Sequence, residues 1–387
     1  MQRSDRLRTG IFIPPHHPND EDPTLAIQRD FELVEWLDKF GYDEAWIGEH
    51  HSAGFEIIAS PEIFIAAAAE RTKRIMLGTG VVSLPYHHPL LVADRIIQLD
   101  HQTRGRVMFG VGPGLLTSDA MMLGIEPDTQ RLRMQESLEI ILRLFAGETI
   151  TLESDWFTMR EARLHLKPYT EPRPHVAVAS AMTPFGANLA GKHGLGMLCV
   201  AASNPAGYDV LDTNWGAANK AAAAAGRSMD RRDLRLVAPF HIAETREQAM
   251  ANVRWGWDKF RYYNLQIAPG GGVFGGSIEE MVEKHGACVG TPDDAVAFMQ
   301  RYWDKTGGFG AMLHIAINWA RFEDMKRSYE LFMRYVMPKF AGYNQWREES
   351  LDWVHNNRTA FGDKRTAAAK KTIEAYFGRE PQAGAES

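Results

Sequence analysis

Cysteine is almost missing from this chain: Cys199 and Cys288 are the only two among 387 residues. Two thiols build neither a disulfide framework nor a four-ligand zinc site, and they point to a reducing compartment. Long apolar runs are missing too, so no segment reads as a transmembrane helix. The opening stretch, residues 1–8, is too polar for a signal peptide. Neither sign of charge dominates, with a net charge of −6, which removes the electrostatic footprint of a nucleic-acid or anionic-membrane partner. No Gly-x-Gly-x-x-Gly stands at a first strand–helix turn, which argues against a Rossmann start. What remains is a cytoplasmic-type globular protein of ordinary composition, 45% hydrophobic and 24% charged.

What is present is a regular alternation of short apolar strands and amphipathic helices. Strand patterns fall at Thr9–Ile13, Tyr42–Ile47, Arg74–Val82, Arg106–Gly112, His175–Ser180, Met197–Ala201, Leu234–Ala243 and Ala311–Ile317. Helix patterns lie between them at Leu25–Phe40, Pro61–Arg71, Pro89–Gln102, Gln130–Phe145 and Phe185–His193, two of them opening on proline, which suits a first helical turn. Strands apolar on both faces belong to a parallel sheet covered by helices. Eight such units favour a closed (β/α)8 TIM barrel, an α/β fold, over an open doubly wound sheet. The barrel is expected over residues 1–345, with a C-terminal helical extension and polar tail over residues 346–387. Two insertions, Trp156–Glu171 and Tyr262–Gly286, read as long and irregular. The second carries the glycine-rich run Pro269–Gly276 and is read as a mobile lid over the barrel mouth.

Chemistry is expected at Glu44–His51, Glu-Ala-Trp-Ile-Gly-Glu-His-His, where a strand ends on three titratable side chains. Carboxyl ends of parallel strands face the ligand crevice. Glu49 and His50 are therefore the catalytic candidates, with His51 the weaker one. His87 and His88 read as structural. The pairs His16-His17, His50-His51 and His87-His88 also raise a metal-dependent hydrolase, but neighbouring residues of an extended segment point to opposite sides, so each pair offers one ligand at most. No metal is expected.

These residues resemble the luciferase-like flavin-dependent monooxygenases. The resemblance runs through Ala45–His51, Leu77–Gly80 followed by Leu84-Pro85, His88-Pro89, Leu99-Asp100, Gly105-Arg106, Phe109-Gly110 and Gly112–Leu115. It continues through Val178–Thr183, Val289–Pro292 and Leu331-Phe332 with Val336–Pro338. Pro23–Leu25 and Gly48–Ser60 resemble the members that epoxidise a monoterpene such as limonene.

The resemblance implies reduced FMN as co-substrate, reacting with O2 through a C4a-hydroperoxyflavin to oxygenate a small apolar molecule. Thr79, Gly80 and Val81 match the segment whose backbone lies against the flavin ring, where relatives can carry a non-proline cis peptide. Gly114 and Ala179 are placed along the cofactor, and Ser180 and Thr183 match the phosphate-binding positions, where hydroxyls and helix N–H groups suit an anion. Pro113 stands where bioluminescent luciferases carry a phosphate-contacting arginine. That departure fits a weakly held flavin delivered by a separate NAD(P)H-dependent flavin reductase, since the chain shows no NAD(P)H signature. His50 matches the family's catalytic histidine, a residue type able to donate or accept a proton near neutral pH. Apolar candidates for the substrate wall are Phe12, Phe55, Phe274 and Trp319. The family commonly pairs subunits through the helices after the second and third strands, so a homodimer is expected.

Other readings stay open at the level of sequence. One is an F420-dependent dehydrogenase on the same barrel. Another is a Baeyer–Villiger or alkanal-type monooxygenase, and a third is a flavin-binding protein without turnover.

Overall fold

The computed structural model describes residues 6–14, 16–268 and 275–378. Eight parallel strands form the centre: β1 (Arg8–Ile13), β2 (Glu44–Ile47), β3 (Met76–Thr79), β4 (Val107–Gly112), β5 (His175–Ser180), β6 (Gly196–Cys199), β7 (Leu234–Ala238) and β8 (Ala311–Ile315). β1 lies between β2 and β8, with Gly10 opposite Leu313 and Ile13 opposite Ile47. Pairing of Leu77 with Val107 joins β3 to β4 and closes the ring. The expected (β/α)8 barrel is therefore the fold.

Local chemistry explains the helices that wrap it. In Pro23–Phe40 the Asp22 carboxylate accepts from the Leu25 N–H at 3.0 Å, Pro23 opens the first turn, and Gly41 ends the helix with φ +92°. Ala26, Leu33, Val34 and Leu37 recur at helical spacing and are buried. Inside the ring, Trp46, Met108, Ala177, Leu198, Val237, Ala311 and Leu313 pack together, bordered by Phe12, Val81, Val200 and Ile315. The amino-terminal end is sealed by charge. Glu44 accepts from Arg8 Nε at 2.7 Å, from Arg235 Nε at 2.7 Å and from Trp46 Nε1 at 2.9 Å. Arg235 also lies over the Trp46 ring at 5.1 Å.

Some boundaries differ from those expected. The third strand ends at Thr79, the Gly80–Val81 peptide is cis, and Val82–Ser83 pairs with the end of β4. The seventh ends at Ala238. Pro239 interrupts the ladder, and Phe240–Ile242 leaves the ring to pair with Cys288–Gly290. The insertion expected to be irregular after residue 156 contains one arm of an antiparallel hairpin, Ile150–Glu153 with Thr158–Ala162. Helices Trp257–Gln266 and Ile278–Glu283 occupy the other insertion, the second opened by a reciprocal Ser277–Glu280 cap.

The chain divides into two compact units, Met1–Ala341 and Gly342–Ser387. The second contains helices Gln345–Asn356 and Arg358–Phe377. No helix among the described residues is long and apolar enough to cross a membrane.

Candidate active site

The loops after β2, β3 and β4 meet at the carboxyl end of the barrel and bring together acids and histidines from distant parts of the chain. His50 sits between two carboxylates. Its Nδ1 lies 3.1 Å from Asp119 Oδ2, and its Nε2 lies 3.0 Å from Glu56 Oε2. Burial by itself would favour the neutral ring, but the bonds to Asp119 and Glu56 outweigh it and raise the pKa to about 9. The two acids thus favour the charged imidazolium, hydrogen-bonded at Nδ1 to Asp119 and ion-paired at Nε2 with Glu56, over a histidine near its ordinary value. Asp119 also accepts from the His51 N–H at 3.1 Å and from the Ser52 hydroxyl. Burial opposes its charge, yet these donors hold it below the usual carboxylate range.

Glu49 does different work. One carboxylate oxygen accepts from His51 Nε2 at 2.8 Å and His87 Nε2 at 2.6 Å, while the other accepts from the Ser83 N–H at 2.7 Å. Burial opposes its ionisation, but these bonds keep its carboxyl below the usual range. Glu49 therefore ties the end of β2 to the turn after β3, and His87 belongs to that tie. Glu49, His51 and His87 place three donor atoms within 4.8 Å of one another. Both imidazoles donate to one carboxylate oxygen, so hydrogen bonding accounts for the trio. His16 is turned to aromatic neighbours, its ring centroid 4.1 Å from that of Tyr263, and burial brings its pKa down to about 3.

A face of small residues lies at the same, carboxyl end of the barrel strands. A Cβ on Gly112 would come 2.5 Å from Val81 Cγ2 and 3.6 Å from the Ala179 Cβ, so Val81, Gly112 and Ala179 share a face. A Cβ on Gly80 would come 3.0 Å from the half-buried Phe12 ring, which puts Phe12 at the edge of that face. Thr79 is spoken for: its hydroxyl donates to the Gly110 carbonyl at 2.8 Å and accepts from the Gly110 N–H at 2.9 Å. Only its backbone is left for a ligand. Gly114 has φ +88°, and a Cβ there would meet the Tyr86 hydroxyl at 2.2 Å, while Gln130 Nε2 donates to the Pro113 carbonyl at 2.8 Å.

The Ser180 hydroxyl is buried and has no hydrogen-bond partner within the protein. It precedes helix Phe185–His193, whose first turn lacks a side-chain cap. Thr183 is exposed in the same turn. The end of β5 thus leaves a buried hydroxyl unpartnered ahead of an uncapped helix, next in the chain to Ala179, which is the kind of end that can take an anionic group such as a flavin phosphate.

The other candidates are spread out. Phe55 is buried against Tyr263, with ring centroids 5.6 Å apart. Trp319 is fully buried and packs edge-on to Phe260 at 5.6 Å, as a core side chain does. Phe274 lies outside the described residues. Glu56, Asp119 and Tyr263 were not singled out from sequence. Asp119 had one signal, an acid in the first turn of a short helix just after Gly112-Pro113-Gly114.

Comparison with known proteins gives the family and agrees with the fold. The sequence profile of the luciferase-like monooxygenase family matches residues 7–308. The chain belongs to the luciferase-like monooxygenase family. It is 45% identical over 376 residues to limonene 1,2-monooxygenase of Rhodococcus erythropolis, covering 96% of this chain and 97% of that one. It is also 45% identical over 358 residues to 4-hydroxyprotoasukamycin monooxygenase of Streptomyces nodosus subsp. asukaensis, covering 90% and 96%. The oxygenating constituent of 3,6-diketocamphane monooxygenase from Pseudomonas putida, solved with FMN, shares the fold with a TM-score of 0.74 at 23% identity, over 87% of this chain and 99% of that one.

Proposed function

We propose that this chain is the oxygenase component of a two-component flavin system. It takes reduced FMN from a separate NAD(P)H-dependent reductase and uses O2 to oxygenate a small apolar substrate, by epoxidation of a monoterpene such as limonene. The observation that supports the reading is the pairing of His50 with Asp119 and Glu56 at the carboxyl end of the barrel, the same end at which Val81, Gly112 and Ala179 share a face. FMN, when bound there in its reduced form, supplies the electrons that activate dioxygen. Phe12, Val81 and the rest of that face exclude water, and His50 holds a proton and a positive charge where negative charge develops. The relative from Rhodococcus erythropolis supports limonene as the first substrate to try. A homodimer goes with this reading. Ile63 on Pro61–Arg71 and Leu91 on Pro89–Thr103 are large apolar side chains facing outward, whereas Ala68 and Ala69 are buried within the subunit.

The test is oxygen consumption by purified protein given chemically reduced FMN, with and without limonene, followed by product analysis. Limonene epoxide that disappears in a flavin-binding His50→Ala variant is the expected result. Oxygen uptake yielding only hydrogen peroxide would reject limonene. No uptake above the free-flavin background would reject the oxygenase reading in favour of F420-dependent hydride transfer or of binding without turnover.

A further inference from the structure

We propose that Val200 and Ile315 gauge the substrate: with Phe12 they form the bulky side of an apolar well at the barrel mouth, and what fits against them is a branched hydrocarbon end. The assignment rests on the oxygenase reading of the site and names its substrate wall.

Strand alternation carries the argument. In a barrel every second side chain points inward, and the inner side chains stack in layers. Leu198 on β6 and Leu313 on β8 belong to the inner layer and are fully buried. Val200 and Ile315 come two residues later on the same inner side and pack against that layer. They are only half-buried, although their chain neighbours Cys199 and His314 are buried. Phe12 stands opposite Ile315 in register, borders the same layer and is half-buried too. The Val200 N–H donates to the Ser180 carbonyl at 3.2 Å, which fixes Val200 against the end of β5, where Ala179 is half-buried.

The well these side chains border is lopsided. From β3 to β5 it presents Val81, Gly112 and Ala179, nearly bare of side-chain volume. From β6 round to β1 it presents an isopropyl, a sec-butyl and a benzyl group, those of Val200, Ile315 and Phe12. Below, the barrel is already filled. A Cβ on Gly78 would come 2.6 Å from Trp46 Cε3, and one on Gly110 would come 3.0 Å from Trp46 Cζ3, so the indole occupies the space against both glycines. Its Nε1 donates to Glu44 at 2.9 Å, which pins it from beneath. Trp46 therefore sets the depth of the well, and Val200 and Ile315 set its width. A flat ring suits the bare side and a branched hydrocarbon suits the bulky one. None of the bulky side's three side chains can hydrogen-bond, so a polar group pressed against them would lose its water without a side-chain partner. Phe55 and Trp319, the other aromatics expected in the wall, are buried against Tyr263 and Phe260 instead.

The test measures retention of hydrocarbon vapour by the full-length protein saturated with oxidised FMN, using limonene and the bulkier caryophyllene. FMN affinity is followed by fluorescence and folding by thermal melts. The wild type should hold limonene more tightly than caryophyllene. Ile315→Ala and Val200→Ala should each shift that ratio toward caryophyllene by about tenfold, the scale of methylene-sized changes in an apolar pocket. Ile315→Phe should expel limonene and leave FMN affinity unchanged. Ile315→Val, the mildest change, should shift the ratio in the same direction as Ile315→Ala by a smaller factor, so a variant that fails to fold does not decide the matter. A ratio unmoved at both positions, FMN affinity lost in step with limonene, or no hydrocarbon held by the wild type would overturn the proposal. The kcat/KM ratio for oxygenation should move with retention. Retention that shifts as expected, with neither hydrocarbon oxygenated, would reject the oxygenase reading and leave the wall assigned. Oxygenation whose preference ignores both positions would reject the wall and leave the oxygenase reading standing.

Discussion

Asp119 reaches His50 across 69 residues of chain, its carboxylate 3.1 Å from the imidazole Nδ1. The contact is made by barrel closure, which sets the loop after β4 against the loop after β2. Asp119→Asn keeps the shape and removes the charge. We expect the His50 titration to fall from about 9 toward its ordinary value of 6.5. Oxygenation should drop by about 10²-fold, the scale of a misplaced acid–base group. Histidine NMR and a steady-state rate measure the two effects separately.

The same pairing makes stability depend on pH. His50 has a folded-state pKa above its unfolded value, so its contribution is complete below about 6.5 and is lost as pH rises through about 9. Urea unfolding of wild type and His50→Gln should therefore differ most near pH 6 and converge by pH 10. The pH-dependent part should be of order 3 kcal/mol. Parallel curves across that range would contradict the assignment.

At the opposite end of the barrel, Glu44 is buried between Arg8 and Arg235. Removing one member of a buried ionic cluster strands the others, which typically costs about 3–5 kcal/mol. Glu44→Ala should lose stability on that scale at pH 7, read from the urea midpoint. Its carboxyl is held far below the usual range: burial opposes the charge, but Arg235 and Arg8 outweigh it. The cluster's contribution is therefore present above pH 4.5 and lost as the solution is acidified below that.

Ser180 separates structure from binding. Its hydroxyl is buried without a partner, so Ser180→Ala removes an unsatisfied group and should leave stability unchanged or slightly raised. If the hydroxyl serves the flavin phosphate, FMN affinity should fall about tenfold, or about 1.4 kcal/mol. Fluorescence titration of FMN alongside thermal melts distinguishes this from a capping role, in which stability falls and affinity is kept.

All eight barrel strands were legible because their patterns are local: short apolar runs between amphipathic helices. The interruption at Pro239 was legible in principle, since proline cannot donate to a ladder, but the apolar run on both sides masks it. The cis peptide after Gly80 is marked locally by nothing but the glycine, and it was legible through the family resemblance of Thr79–Val81. At the site, His50 stood out as a histidine at a strand end. Its partners did not. Glu56 and Asp119 are acids in loops like many others. Their meeting depends on ring closure, which leaves no mark in sequence spacing. Glu49 was placed correctly at the mouth, yet which histidines it would hold was not legible, because His87 comes to it from another strand's loop.

The break at Pro239 has an engineering consequence. Phe240–Ile242 and Cys288–Gly290 pair with each other outside the ring, so residues 243–287 leave and return through a shared two-strand gate. The barrel's closed ladder runs directly from β7 to β8 with Leu236 opposite Met312, and it takes no hydrogen bond from that excursion's pairing. A donor segment of different length, spliced between Ile242 and Cys288, would meet the same two anchor points. Two anchor points are not the whole requirement, because Val253, Trp257, Phe260 and Met281 share a core with Ile11 and Ile47 of the ring, so a replacement has to restore that apolar face as well as the ends.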